Sequence, residues 1–217
     1  MIITKVEQQK NNSSRYSIYV DDIFFGGVSS NTLTKYNLYK EKEVKKEALD
    51  EILITELKQR FQQRAENYLA RAIKTEFQVR KYLNDLKFKK KGKWFDENIY
   101  VDFDKIFDEI INRLKELQFI NDRKYAELFI ESRIRNKPRG KYVLVSELLK
   151  KGIDKELAKV VCDEIIEDEY EILKHTYYKK YKEEKFNQDD RKKIQYLQRK
   201  GFSYDLIKQY IENESSK

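Results

Sequence analysis

The chain has 217 residues, 39% of them charged, with a formal net charge of +8, six glycines, one proline and one cysteine. So little Gly and Pro argues against a compact sheet protein and for long, surface-rich helices, and a lone cysteine excludes an intrachain disulfide and fits a reducing compartment. No 18-residue apolar run and no signal-peptide core occur, so a soluble, cytoplasmic protein that makes no use of a membrane is expected, and the positive charge favours an acidic partner, nucleic acid first.

Residues 2–28 differ from everything after them. Three runs rich in β-branched and aromatic residues, at 2–6, 16–20 and 23–28, are separated by polar residues 8–14 and by Asp21-Asp22, the pattern of a small antiparallel meander of three strands. Ser29 or Ser30 opens a short helix around Leu33 and Leu38. A sheet this small needs a helix against it, and the helix expected to begin near Glu43 is the one at hand.

From Glu43 to Lys91 there is neither Gly nor Pro, and apolar residues recur at Val44, Ala48, Ile52, Leu57, Phe61, Ala65, Tyr68, Leu69 and Ile73. Helix is expected throughout, restarted at Thr75-Glu76-Phe77-Gln78, which has the form of a capping box, with Val79, Tyr82 and Leu83 behind it.

The most complete helical unit lies at 119–153. Asn121, or Asp122 one residue later, caps a first helix whose face is Tyr125, Ala126, Phe129, Ile130 and Ile134. Pro138 and Gly140 break it. A second helix buries Val143, Leu144, Leu148 and Leu149 and ends at Gly152, and Asp154 caps a third with Leu157, Ala158, Val161, Ile165 and Ile166 inward.

This unit repeats. Leu148-Leu149-Lys150-Lys151-Gly152-Ile153 aligns without gaps to Leu197-Gln198-Arg199-Lys200-Gly201-Phe202 and loosely to Leu83-Asn84-Asp85-Leu86-Lys87-Phe88. Ser203 takes the place of Asp154, Leu206 of Leu157 and Tyr210 of Val161. In the first copy the cap falls on Asp104, with Phe107 and Ile111 behind it, so that about 15 residues at 89–103 are inserted. The expected fold is mainly α: tandem three-helix repeats in an elongated, curved body behind a small N-terminal antiparallel β-meander. Its segments are 1–42, the meander and short helix; 43–118, a linking helix and the first repeat with its insert; 119–169, the second repeat; and 170–217, the third.

Two constellations stand out. Arg133, Arg135, Lys137, Arg139 and Lys141, ending at Tyr142, form a basic run without an acid across a turn between helices. It suits phosphate or the acidic residues of a partner, the alternative being a solvated turn. Lys89, Lys90, Lys91 and Lys93, beside Trp94, join charge to a stacking surface useful on single strands, the alternative being a basic hairpin whose Trp packs on its own domain. Tyr177, Tyr178 and Tyr181 among Lys179, Lys180 and Lys182 read as a packing stripe with lysines reaching outward, the acidic stretch 163–171 as a solvated helix end, and Cys162 as a buried structural thiol. His175 is the only histidine, so neither a hydrolase triad nor a zinc site is expected. A phosphate-binding Gly-x-x-x-x-Gly-Lys loop is missing as well, and no enzyme activity or cofactor is expected.

The residues resemble the RecX family of recombinase regulators. The resemblance rests on Gly27-Val28-Ser29 with Thr32-Leu33; on Tyr68-Leu69-Ala70-Arg71, Thr75, Val79-Arg80 and Tyr82-Leu83; and on Ile120-Asn121-Asp122, Tyr125-Ala126, Phe129-Ile130, Arg133, Gly140 and Leu148 to Ile153. The insert at 89–103 departs from it. The resemblance implies a non-enzymatic protein that binds the RecA recombinase filament on single-stranded DNA; beside it, a monomer is the default expectation, and single-stranded DNA is an expected further partner, contacted within the filament or weakly alone. Such a protein would inhibit strand exchange, ATP hydrolysis and filament growth. A nucleic-acid-binding helical module acting directly on DNA is the rival reading.

Overall fold

The computed structural model describes residues 1–10, 12–95 and 101–215. Among them lie three strands, β1 (Ile3–Gln9), β2 (Asn12–Val20) and β3 (Ile23–Ser29), and ten helices. The helices are α1 (Ser30–Lys35), α2 (Lys46–Leu69), α3 (Glu76–Lys90), α4 (Phe103–Glu116), α5 (Asp122–Asn136), α6 (Lys141–Leu149), α7 (Lys155–Ile165), α8 (Glu169–Tyr181), α9 (Arg191–Lys200) and α10 (Tyr204–Ser215). The chain divides into two compact units: Met1–Ala72 with Val79–Phe119, and Ile73–Gln78 with Ile120–Lys217.

In the first unit the strands pair antiparallel in the order β1-β2-β3. Asp21 and Asp22 both take positive φ, 48° and 66°, which gives the two-residue turn the twist that adjoining strands require. The β1–β2 hairpin is longer than the hydrophobic runs suggested, because its polar ends still pair, Gln8 with Tyr16 and Gln9 with Asn12. Ile3, Ile18, Val20 and Val28 form the buried face and pack on Leu49 and Ile52 of α2. The helix against the sheet is thus the expected one, begun at Lys46 rather than Glu43, because Glu43 is bridged to Ile2 and the Val44 amide donates to Met1. Leu38 lies beyond α1, which stops at Lys35, yet is buried in the same cluster.

Glu56 is the polar anchor of this unit. Its carboxylate is almost fully buried and accepts from the Ser29 amide and hydroxyl, both at 2.8 Å, and from Arg15 at 2.9 Å. Arg15 also donates to the Gly27 carbonyl.

The Thr75 box is present reciprocally: Thr75 Oγ1 accepts from the Gln78 amide at 3.2 Å and Gln78 Oε1 from the Thr75 amide at 3.1 Å. Thr75 also donates to the Lys151 carbonyl at 2.7 Å. Ile73, by contrast, lies outside both helices and is exposed. The cap of α4 is Asp102, accepting from the Lys105 amide, and not Asp104, which sits inside the first turn. Lys89 and Lys90 continue α3 and Phe103 begins α4, so 89–103 is not wholly a loop. Residues 96–100 of that insert lie outside the described residues.

In the second unit, α5, α6 and α7 enclose Ala126, Ile130, Leu144, Leu148, Ala158, Val161 and Cys162, and α8, α9 and α10 enclose Leu173, Tyr177, Leu197, Phe202, Ile207 and Tyr210. The repeat is geometric as well as written. Leu148 and Leu197 are both fully buried, Gly152 and Gly201 both take positive φ (82° and 97°), and Asp154 and Ser203 both accept from the amides of the helix that follows. Two details depart from the pattern. Val143 is half-buried and Leu149 exposed, because α6 is only nine residues long and nearly apolar all round, so its sequence does not say which side faces in. In the loose first copy, Phe88 is 72% exposed where Ile153 and Phe202 are buried.

Candidate functional site

The basic run straddles the turn from α5 to α6, and the structure divides it into engaged and free charges. Asn121 caps α5, accepting from the Lys124 amide at 2.9 Å. At the other end of the helix, Arg133 donates Nε to Glu147 at 2.7 Å and lies with its guanidinium carbon 4.8 Å from the Phe129 ring centre. Lys141, the first residue of α6, donates its amide to Glu169 and its Nζ to Asp163, each at 2.7 Å. Arg135, Lys137 and Arg139, which lie between them, have no carboxylate within ion-pair distance among the described residues. Within the same turn Pro138 is buried, and Tyr142, at the start of α6, is 81% exposed.

The turn is held from below by the third repeat. The Gly140 amide donates to the Lys200 carbonyl at 2.9 Å, and a Cβ on Gly140 would collide with the Gly201 backbone. This approach carries Lys200 to Arg139. Lys179 and Lys180, from the end of α8, complete the group. Burial, followed by the charges of Arg139, Lys180 and Lys179, holds the Lys200 ammonium below its ordinary pKa. Lys180 Nζ lies 3.9 Å and Lys200 Nζ 5.2 Å from the centre of the Tyr196 ring, which Tyr181 meets edge-on at 5.5 Å.

Of the aromatic stripe, Tyr177 is buried and Tyr181 half-buried, whereas Tyr178 is exposed. Lys179 and Lys180 do reach outward, but toward the turn of the preceding repeat, a meeting of residues some 40 and 60 positions apart that no local pattern announces. The acidic stretch is more than a solvated end. Asp168 caps α8, Asp163 and Glu169 hold Lys141, and Glu164 pairs with Arg123. Cys162 is buried, and burial first, then the charge of Asp163, pushes its thiol up to about 11. Among the described residues no group of three or more His, Cys, Asp or Glu is arranged to hold a metal, and no helix is long and apolar enough to cross a membrane.

The second basic constellation lies in the first unit. Lys89 and Lys90 end α3, while Lys91 and Lys93 are exposed in the turn after it. Trp94 is half-buried on α2, its ring edge-on to Phe61 at 5.4 Å, with Arg60 4.5 Å, Lys90 5.5 Å and Arg64 6.0 Å from its centre. The indole therefore packs on its own unit. Burial, then the charge of Arg15, brings Arg60 down to about 10.

A small sheet followed by repeated three-helix modules, with paired and free cations sorted onto one turn, defines a helical-repeat protein. Comparison with known proteins makes this specific. The N-terminal domain of regulatory protein RecX matches residues 1–45, the second RecX three-helix domain 121–161 and the third 167–211. The regulatory protein RecX of Clostridioides difficile (strain 630) is 32% identical over 97% of this chain and 94% of its own length. That of Bacillus velezensis is 31% identical over 97% of this chain and 76% of its own. A crystal structure of regulatory protein RecX shares the fold with a TM-score of 0.66 at 22% identity, covering 98% of both chains. A crystal structure of RecX from Lactobacillus salivarius gives 0.57 at 27%, over 75% of this chain and 99% of that one. The chain belongs to the RecX family of regulatory proteins.

Proposed function

We propose that this protein binds the filament that a RecA recombinase forms on single-stranded DNA and inhibits its strand exchange, ATP hydrolysis and extension. It thereby tunes DNA repair, recombination and the SOS response in the cytoplasm. It acts as a monomer and by binding, with no reaction of its own. The observation that carries the reading, beyond family membership, is the set of cations Arg135, Lys137 and Arg139, without ion-pair partners among the described residues, on the turn that leads to the exposed Tyr142. Arg133 and Lys141, tied to Glu147 and Asp163, frame this contact and fix its shape. Lys89, Lys90, Lys91, Lys93 and Trp94 form a second contact surface on the first unit. The repeats, at 43–118, 119–169 and 170–217, address neighbouring protomers of the filament, and several weak contacts to a polymer raise the effective affinity over that for a free protomer. Occupying the groove that a second DNA must enter accounts for the block to exchange.

The test is the single-strand-dependent ATPase of the cognate recombinase, titrated with this protein at substoichiometric ratios. Arg135→Glu combined with Arg139→Glu, both surface changes, is expected to raise the concentration needed for inhibition about tenfold or more with an unchanged thermal melt. Equal inhibition by the double variant would remove this turn from the interface.

A further inference from the structure

Leu149 is a leucine that its own module does not bury. It ends α6 and is 41% exposed, while Leu144 and Leu148 of the same helix are fully enclosed. With Tyr142, which is open to solvent, and the half-buried Val145, it forms a stripe at spacings of three and four, so that the three side chains follow one side of the helix. The stripe is one wall of a groove of about 490 Å³ between α6 and α7.

The fold does not ask for this stripe. The third module, in the ungapped register that sets Leu197 on Leu148, has Arg191 in the place of Tyr142 and Gln198 in the place of Leu149. Val145 alone keeps an apolar counterpart, Ile194, which packs against the core of its module as Val145 does. In the loose first copy Leu149 falls on Asn84. Two modules of the same kind thus do without apolar side chains at this place, and exposed apolar surface with a polar rim marks a contact with another molecule.

The rim says which kind. Lys155 and Lys159, one turn apart on α7, face the stripe, and Lys141 closes one end. The one acid among the lining residues, Asp163, is taken by Lys141 at 2.7 Å. Lys155 has no carboxylate within ion-pair distance among the described residues, and Lys159 meets Glu156 of its own helix, which is 74% exposed, a surface pairing of the sort that contributes little.

We propose that the groove between α6 and α7 is a docking site for a short amphipathic helix of a partner protein, with apolar residues at i, i+3 and i+7 against Tyr142, Val145 and Leu149, and with Asp or Glu on the flank that meets Lys155 and Lys159. Carboxylates four residues apart on such a helix have the spacing of these two lysines. The nine residues of α6 are about 13 Å long, which seats about two to three turns. An extended segment fits less well, because its main chain needs a sheet edge and two helices offer none. Nucleic acid is disfavoured by the aliphatic Val145 and Leu149, which have no flat face on which a base can stack. A second copy of the same face brings no unpaired carboxylate to the lysines. The groove belongs to the second module by itself, and the inference does not rest on the reading of the recombinase.

The experiment is fluorescence anisotropy of a labelled synthetic helix of about four turns, with Leu at i, i+3 and i+7 and Glu along one flank, titrated with the full-length protein beside the same peptide carrying Lys for Glu. The acidic peptide is expected to bind saturably and the basic one about tenfold more weakly or worse. Leu149→Gln, a side chain the third module carries at this place, weakens the acidic peptide about fivefold or more with an unchanged thermal melt. Lys155→Glu with Lys159→Glu weakens it about fivefold or more and strengthens the basic peptide, a reversal that damage to the fold does not produce. Absence of saturable binding below about 1 mM, or wild-type affinity in both variants, overturns the site and leaves the regulatory reading untouched. A dimer in sedimentation that Leu149→Gln abolishes assigns the groove to a second copy, and displacement of the peptide by oligo(dT) assigns it to nucleic acid; either result overturns the inference. Peptide binding as described, by a protein that leaves the recombinase unaffected, keeps the groove and overturns only the regulatory reading.

Discussion

Gly140 and Gly201 meet backbone to backbone: there is no room for a Cβ on the first beside the carbonyl of the second, and a Cβ on Gly201 would lie 2.7 Å from Val143. The contact joins the turn of one three-helix module to the corresponding helix end of the next. Gly201 is doubly constrained, since its φ of +97° is also one that side chains rarely adopt. Gly201→Ala is therefore expected to cost about 1–3 kcal/mol from backbone conformation alone, with overlap on Val143 adding to it. Calorimetry should show the melt of the α5–α10 unit moved down by several degrees. An unshifted melt would mean that the two modules do not depend on this approach.

The Glu56 carboxylate gives a pH dependence with a definite sign. Burial raises its pKa, but hydrogen bonds from the Ser29 amide, Thr32 and the Ser29 hydroxyl, with the charge of Arg15, outweigh that and leave it below the ordinary value. A carboxyl whose folded pKa is depressed adds stability above its unfolded pKa of about 4, and that contribution is lost as pH falls through the lower folded value. Replacing Glu56 by Gln leaves the half-buried Arg15 without its counter-charge, a loss of a charged hydrogen bond that typically costs about 1.5–3 kcal/mol. The variant should unfold earlier in urea at pH 7, and its stability should fall less steeply than that of the wild type between about pH 5 and pH 3, an interval set by the ordinary carboxyl pKa of about 4. Parallel curves for the two proteins would count against the network.

Cys162 offers a third test. With its thiol pushed up to about 11, the nucleophilic thiolate is scarce at pH 8, and the side chain is closed in by Ala158, Val161 and Leu148. Alkylation of the native protein should run about 100-fold slower than that of the urea-unfolded chain. Comparable rates would show that the core of α5–α7 opens freely.

Much of this was legible in the sequence, and the rest was hidden for physical reasons. Asn121, Thr75 and Asp154 were readable because a cap is a local device: a short side chain satisfying amides two or three residues ahead. The same logic went wrong at α4, where Asp102 and Asp104 both fit and only the backbone path entering the helix separates them. Leu149 was misplaced because α6 shows almost no polar face. The candidate site divides in the same way. The basic run from Arg133 to Tyr142 is contiguous and plainly visible, but which of its members are neutralised depends on Glu147, Asp163 and Glu169, which follow in the chain at distances no periodicity encodes. That Lys200 comes to the turn of Arg139 follows from the glycine contact, and that Lys180 joins Lys200 follows from the Tyr196 ring between them; glycine in a sequence announces a bend more readily than a meeting. Trp94 stands beside five lysines in the sequence, at 87, 89, 90, 91 and 93, whereas in space it is packed on Phe61 and Arg60.

Lys141 supplies the last point. Its amide and its ammonium are anchored to Glu169 and Asp163, on either side of the short link between α7 and α8, while one residue earlier the Gly140 amide is fastened to the Lys200 carbonyl. A displacement of the Lys200 backbone therefore reaches α6 directly, through the Gly140 amide. Two consecutive residues at the start of α6 thus couple the second module to the third, Lys141 through its carboxylate partners and Gly140 through a main-chain hydrogen bond.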